Sequence, residues 1–385
     1  MKKYINLHLV DANVDSFGDL WVNEEGKIEK IVLRSVIKNE SEEGDFDGWG
    51  LTCMPSFIDL HGHFREPGQE EKETIQSGIQ SAAKGGFGVV VAMANTTPIC
   101  DEPNLIQVNQ EKAKKIGKSE YLQVSALTKG FGEDPVDYAA IRPLTRLFSN
   151  DGKPIESPSV MAKALADSMK HDFLIMVHQE PEEEMIRRDL LLAEAIGGNL
   201  HICHVSTKKS VDLIRSAKKR GLHVTCEVTP HHLYRANETY RVNPPFGVEA
   251  DRQALLQGLM DGTIDCVATD HAPHTEEDKA AGSPGITGYD AAFSLVRTAL
   301  ADVSLCEISK WMSANPAAIL GDDRRAAEGK LDVGKEANFV FLRPDEPWIL
   351  NTFYSKSDNT PFVGDTVLGV IEQTIRKGER IDENA

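Results

Sequence analysis

Met54-Pro-Ser-Phe-Ile-Asp-Leu-His-Gly-His-Phe-Arg-Glu-Pro-Gly68 decides the reading of this chain. The run Phe57-Ile58-Asp59-Leu60 has the apolar character of a buried strand, and it delivers His61 and His63 at its end. Alternate residues of a strand point to the same side. The two imidazoles therefore face one space and can share one metal ion. Gly62 between them reads as backbone kept open for the ion's approach. Arg65 adds a fixed cation beside that space. A metal-dependent hydrolase acting on a carboxylate-bearing substrate is the chemistry this box suggests.

Outward from the box, short apolar runs alternate with helical patterns. The runs are Phe57–Leu60, Val89–Met93, Tyr121–Ala126, Arg146–Ser149, Phe173–His178, Asn199–His204, His223–Glu227 and Asp265–Thr269. Helical periodicity fills most of the gaps, at Glu73–Lys84, Asn104–Ile116, Ser159–Met169, Glu182–Ile196, Lys208–Arg220 and Ala250–Met260. Eight strands alternating with helices predict an α/β fold, the (β/α)8 TIM barrel. A doubly wound open sheet is the runner-up. It would carry a Gly-rich nucleotide loop after its first strand, where this chain has His61-Gly-His63.

Both ends of the chain differ from this middle. Tyr4–Val10, Leu20–Val22 and Lys27–Leu33 read as short strands, as do Asn338–Leu342, Thr366–Ile371 and Thr374–Ile381. A small flanking β-sandwich formed from both termini is expected. It would comprise residues 1–52 and 330–385, with the hydrolase barrel at 53–329. Ser41–Asp47 reads as a loop. His274–Gly285, directly after the last barrel strand, reads as a candidate lid.

Bulk properties narrow the classes. The 385 residues carry a formal charge of -18, which disfavours nucleic acid and anionic membranes as partners. The six cysteines form no CxxC pair, and several lie in apolar runs, as buried thiols of a reducing compartment do. No signal peptide or membrane-spanning run is evident, so a cytoplasmic location is expected.

In a βα barrel, chemistry gathers at the C-terminal strand ends. There this chain places His61 and His63, Asn95, Asp151, His178, His204, then His231 and Asn243, and finally Asp270 and His274. Taken singly, a strand-end His or Asp is more often a turn or surface residue than a ligand. Six of the eight units nevertheless end in one, an alignment that random placement does not produce. Zinc suits imidazole and carboxylate ligands. Asp270 is placed to act as a general base. A bridging carboxylate such as Asp151 allows two ions about 3.5–4 Å apart. His204 is preferred to His231 as a ligand because it ends a strand directly.

These residues carry a resemblance that runs almost end to end. The chain resembles the type I dihydroorotases of the amidohydrolase superfamily. The resemblance rests on His61–Gly68, Gly85-Gly-Phe87, Phe148–Gly152, His204–Lys208, Glu227–Leu233, Asn243-Pro-Pro245, Thr269–His274, Asn315–Gly321 and Leu331–Ala337. It implies reversible, zinc-dependent hydrolysis of the cyclic amide of dihydroorotate to N-carbamoyl-aspartate, in pyrimidine biosynthesis. It implies that His61 and His63 bind one Zn²⁺, that Asp151 bridges, and that His178 and His204 hold a second. Asp270 would bind zinc and act as base then acid. Arg65, Asn95 and His274 would clamp the substrate carboxylate, with Asn243 near the ring. The expected partners are the small-molecule substrate and a second copy of the chain in a homodimer.

The departures define the alternatives. His178-Gln-Glu-Pro181 runs almost directly into a helix where the family usually carries a longer insertion, and Lys153 is an alternative bridge if carbamylated. One alternative is a related cyclic amidohydrolase: a hydantoinase, dihydropyrimidinase or allantoinase, for which a lysine bridge is expected. The other is a non-catalytic homologue that associates with aspartate carbamoyltransferase.

Overall fold

The computed structural model describes residues 1–35, 46–321 and 329–383. Of the loop expected at Ser41–Asp47, residues 41–45 lie outside them. The eight central strands are β1 (Phe57–Gly62), β2 (Phe87–Ala92), β3 (Glu120–Gln123), β4 (Leu147–Ser149), β5 (Leu174–Val177), β6 (Leu200–Ile202), β7 (Val224–Val228) and β8 (Cys266–Val267). All their pairings are parallel, and they form a three-stranded ladder, β1–β3, and a five-stranded one, β4–β8. Single parallel bridges join the ladder edges, at Ser125–Phe148 on one side and Gly62–His271 on the other. The amide of His63 donates to the His271 carbonyl at 2.7 Å at the second seam.

Strands buried on both faces read as continuous apolar runs, and Val89, Val90 and Val91 are all buried. The helices are amphipathic. Helix Lys208–Lys219 turns Val211, Ile214 and Ala217 inward, at helical spacing, and leaves its lysines outside. Its N-cap Thr207 accepts from the Ser210 amide, and Thr74 with Ser77 forms a capping box on helix Ile75–Lys84. Among the described residues four further α-helices, Glu276–Ala280, Ala292–Ala299, Leu305–Ser309 and Asn315–Leu320, follow β8.

The termini build one eight-stranded sheet. Its main path runs Glu379–Arg380, Thr366–Arg376, Phe339–Ile349, Thr52–Pro55, Lys2–Val10, Asp15–Val22, Ile28–Arg34, and Phe46–Asp47 pairs with Lys2–Val10. The sheet curls round its own core, so that Tyr4 packs on Phe339 and Phe341, with ring centroids 5.4 and 5.5 Å away. Residues 350–362 leave this sheet and lie against the barrel, where Leu350 and Phe362 pack with Val242, Ile286 and Leu295. Five cysteines are buried and Cys306 is partly so, all as free thiols. No helix among the described residues is long and apolar enough to cross a membrane.

Asp290 fastens this C-terminal segment to the first helix: it accepts from the Tyr354 amide at 2.9 Å and from the Ser81 hydroxyl at 3.0 Å. Burial pushes its carboxyl from 3.8 to about 7. An acid whose pKa is raised by folding loses stability as pH rises from the unfolded value through the folded one. Asp290→Asn should therefore be more stable than the parent at pH 8, by on the order of 2 kcal/mol allowing for partial solvent contact, and lose that advantage near pH 4. Thermal melts at the two pH values measure it.

Candidate metal and active site

The strand ends converge on one buried cluster. His61 and His63 leave β1 on the same side. Asp151 follows β4, and the Ser149 hydroxyl accepts from its amide at 2.9 Å. His178 and His204 follow β5 and β6, and Asp270 follows β8. His61 Nε2 lies 3.3 Å from Asp151 Oδ1 and 3.7 Å from Asp270 Oδ1. His63 Nε2 lies 3.1 Å from Asp270 Oδ1 and 3.4 Å from Asp151 Oδ2. On the other side of Asp151, Oδ1 is 3.4 Å from His204 Nε2 and 3.7 Å from His178 Nδ1. Ligand-capable atoms of His61, His63 and Asp151 form one group within 4.8 Å of one another, and those of Asp151, His178 and His204 form another. Asp151 belongs to both.

These atoms fit a cation. His61 Nδ1 is held by Glu227 Oε1 at 2.8 Å and His63 Nδ1 by Asn95 Oδ1 at 2.9 Å. Nε2, the atom of each ring that faces the carboxylates, is thereby left to take a proton or a metal ion. His61 Nε2 is fully buried and has no hydrogen-bond partner. Burial opposes charge on His61, yet Asp151 holds its pKa well above the usual value. Burial likewise opposes charge on Asp270, but the hydrogen bond from His63 and the charges of His61, His63 and His204 hold its carboxyl below the usual range. A buried space flanked by two carboxylates and ringed by imidazole nitrogens calls for positive charge.

Gly62 has a different role from the one expected. A Cβ there would lie 2.2 Å from the Tyr289 hydroxyl and 3.3 Å from Asp59 Oδ2. It therefore points away from the histidines, and its missing side chain makes room for Tyr289 behind β1.

The cluster opens into a cleft of about 200 Å³. Its lining includes Arg65, Asn95, Asn243 and His274, the four residues expected to hold substrate, together with Ser283, Pro284 and Gly285. Arg65 is buried; its Nε donates to the Pro273 carbonyl at 3.1 Å and one terminal nitrogen meets His274 Nε2 at 3.1 Å. Three N–H groups remain for a ligand. Burial lowers its pKa to about 10, against the opposing pull of Asp270 and Asp151, so it stays charged at neutral pH. Asn243 Nδ2 donates to Glu180 Oε2 at 3.2 Å and approaches His178 Nε2 at 3.5 Å. His231 lies outside both ligand groups, packed on His232 and Phe246. Lys153 lines a different cavity, with Phe131 and Glu156.

Glu227 is a further candidate residue, one to which the motifs assign no role. It is fully buried on β7 and bridges His61 Nδ1 and His201 Nε2, the latter at 3.0 Å. Burial opposes its charge, but the hydrogen bonds from His201 and His61 hold its carboxyl down at about 2. The signal was present: a carboxylate in an otherwise apolar strand needs a buried partner. Glu227→Gln keeps the volume and loses the charge that orients His61. It should weaken metal affinity about 10–100-fold, as read by competition with a chromogenic chelator. Unchanged affinity would remove Glu227 from the site.

Residues 52–381 match the amidohydrolase family, and the chain belongs to that family; it is a hydrolase of this class. The dihydroorotase of Caldanaerobacter subterraneus subsp. tengcongensis is 36% identical, over 95% of this chain and 94% of its own length. That of Clostridium botulinum is 35% identical, over 97% of both. Within the amidohydrolases the chain groups with such dihydroorotases. Among solved structures, the L-hydantoinase from Arthrobacter aurescens superposes with a TM-score of 0.87 over 99% of this chain and 96% of its own, at 22% identity, a likeness of fold.

Proposed function

We propose that this chain is a dihydroorotase: it opens the cyclic amide of dihydroorotate to N-carbamoyl-aspartate, and closes it in reverse. One observation carries this reading. Two histidine groups share Asp151 at the floor of a cleft whose wall holds the buried Arg65–His274 pair. The identity to dihydroorotases over nearly the whole chain supports it. His61, His63 and Asp151 would hold one zinc ion, and Asp151, His178 and His204 a second, with Asp270 a further ligand beside the first. Bound zinc would supply an activated water near neutral pH and polarise the amide carbonyl.

The chain's own residues do the rest. Arg65 receives the substrate carboxylate through charge-assisted hydrogen bonds. The Asn95 amide nitrogen, free because Oδ1 faces His63, and His274 complete that grip. Asn243 lies against the ring. Asp270 meets both histidines through Oδ1, leaving Oδ2 to take the proton of the attacking water. It then returns that proton to the ring nitrogen as the carbon–nitrogen bond breaks. The water's oxygen ends on the new carboxylate, one of its protons on the nitrogen of the freed carbamoyl group, and the other is released to solvent as the new acid ionises.

A cytoplasmic homodimer, divided into a terminal β domain (1–52 and 330–385) and a barrel (53–329), is part of the same proposal. Purified protein supplied with zinc and N-carbamoyl-aspartate should form dihydroorotate, followed by its absorbance. Absence of turnover in both directions would reject the reading. The hydantoinase alternative needs a lysine bridge, and the placement of Lys153 in a separate cavity counts against it. Activity and metal content measured on one sample also exclude a purely scaffolding role beside aspartate carbamoyltransferase.

A further inference from the structure

The segment after β8, which its sequence suggested as a lid, is fastened in place, and one side chain of its own joins its end to the neighbouring wall. Lys279, on the short helix Glu276–Ala280, donates to three backbone carbonyls: Ser283 at 2.8 Å, and Arg241 and Gly285 each at 3.0 Å. An ammonium has three protons, and all three are used. The cation sits over the Tyr240 ring, with Nζ 4.1 Å from its centroid.

The acceptors belong to two different walls of the cleft. Arg241 lies two residues before Asn243, in the segment after β7. Ser283 and Gly285 themselves line the cleft. The Gly285 amide also donates to the Arg241 carbonyl at 3.1 Å, so Lys279 reinforces a seam between these walls. Gly285 in turn presses on the carboxylate end of the cleft. A Cβ there would lie 2.7 Å from the Ala272 carbonyl oxygen and 3.0 Å from His274 Cδ2, and its φ is +142°. Asn359 braces the same corner, donating to the Ala272 and Gly285 carbonyls at 3.1 Å each and accepting from the His274 amide at 2.9 Å.

We propose that Lys279 is a positioning residue for substrate: by tying the Arg241–Asn243 segment to Ser283–Gly285, it sets the distance between Asn243 at the ring end and His274 at the carboxylate end. This rests on the dihydroorotase reading of the cleft. Lys279 touches neither the metal ligands nor the reacting amide, so its loss falls on substrate binding. A displacement of about 1 Å in positioning groups is enough for large kinetic effects.

The test is steady-state dihydroorotate kinetics on the zinc-loaded parent, Lys279→Met and Lys279→Arg, with metal content and melting temperature measured alongside. Methionine keeps the stem and removes all three donors; arginine keeps the charge but spreads its donors over a plane. The expected result for Lys279→Met is a KM raised about tenfold or more, a kcat within about threefold of the parent, and unchanged metal content. Lys279→Arg should recover part of the KM. A lowered melting temperature with KM unchanged would show a merely structural tie and overturn the proposal, as would a fall in kcat at constant KM. If Lys279→Met does not fold, Lys279→Gln is judged by the same criteria. An active parent with an unaffected variant overturns this proposal alone; an inactive parent overturns the functional reading and this proposal with it.

Discussion

Asp270→Asn should convert dihydroorotate at least about 10³-fold more slowly than the parent, with KM changed far less. The asparagine matches the aspartate in size, so the cleft keeps its shape. Its amide cannot accept the water's proton and return it to the ring nitrogen. The buried carboxylate is held ionised by His63, His61 and His204, against the cost of burial, which is the state a base requires at neutral pH. Because Asp270 Oδ1 also lies 3.1 Å from His63 Nε2, metal content must be measured on the same preparation. Retained metal with lost kcat identifies the proton transfer. A kcat within tenfold of the parent, with metal retained, would assign the base elsewhere.

Arg65→Met should lower kcat/KM for dihydroorotate by about 10²-fold or more, chiefly through KM, since removing one partner of a buried charge pair costs about 2–5 kcal/mol. Arg65 is the cation buried beside the cluster, and the cleft's remaining carboxylates, Asp151 and Asp270, would repel the substrate anion once it is gone. The variant also leaves the Pro273 carbonyl and His274 Nε2 without their donor, so a modest loss of stability accompanies it. A cyclic amide of the same ring lacking the carboxylate provides the control: its turnover by the variant should match its turnover by the parent. Equal losses on both substrates would mean that Arg65 shapes the cleft without selecting the acid.

The barrel was legible in the sequence because parallel strands buried on both faces leave apolar runs that helices interrupt at regular spacing. Helix Glu182–Ile196 has the bounds its periodicity gives, and helices Pro103–Ile116 and Glu249–Met260 start one residue earlier than expected. Strand-end position was enough to bring the candidate ligand histidines and aspartates to one place. What sequence did not disclose depends on contacts between distant segments. Gly62 makes room for Tyr289, more than two hundred residues away, a demand no local pattern carries. Glu227 matters because His61 and His201 reach it from neighbouring strands. The loop chemistry of His274–Gly285 suggested movement, and the bonds of Lys279 to Ser283, Gly285 and the distant Arg241 show it pinned. Thr52–Pro55 pairs with both Lys2–Val10 and Phe339–Ile349, a pairing visible only once the termini are brought together.

The two ladders of the barrel meet at single bridges, and the donor set is divided between them. His61, His63 and Asn95 belong to the three-stranded side; Asp151, His178, His204 and Asp270 belong to the five-stranded side. An ion held by His61, His63 and Asp151 would therefore reach from one ladder to the other across the mouth of the barrel. Anything that binds only the closed wall adds to its stability in proportion to the logarithm of its concentration. Loading such a site would then also hold the two ladders of the barrel together.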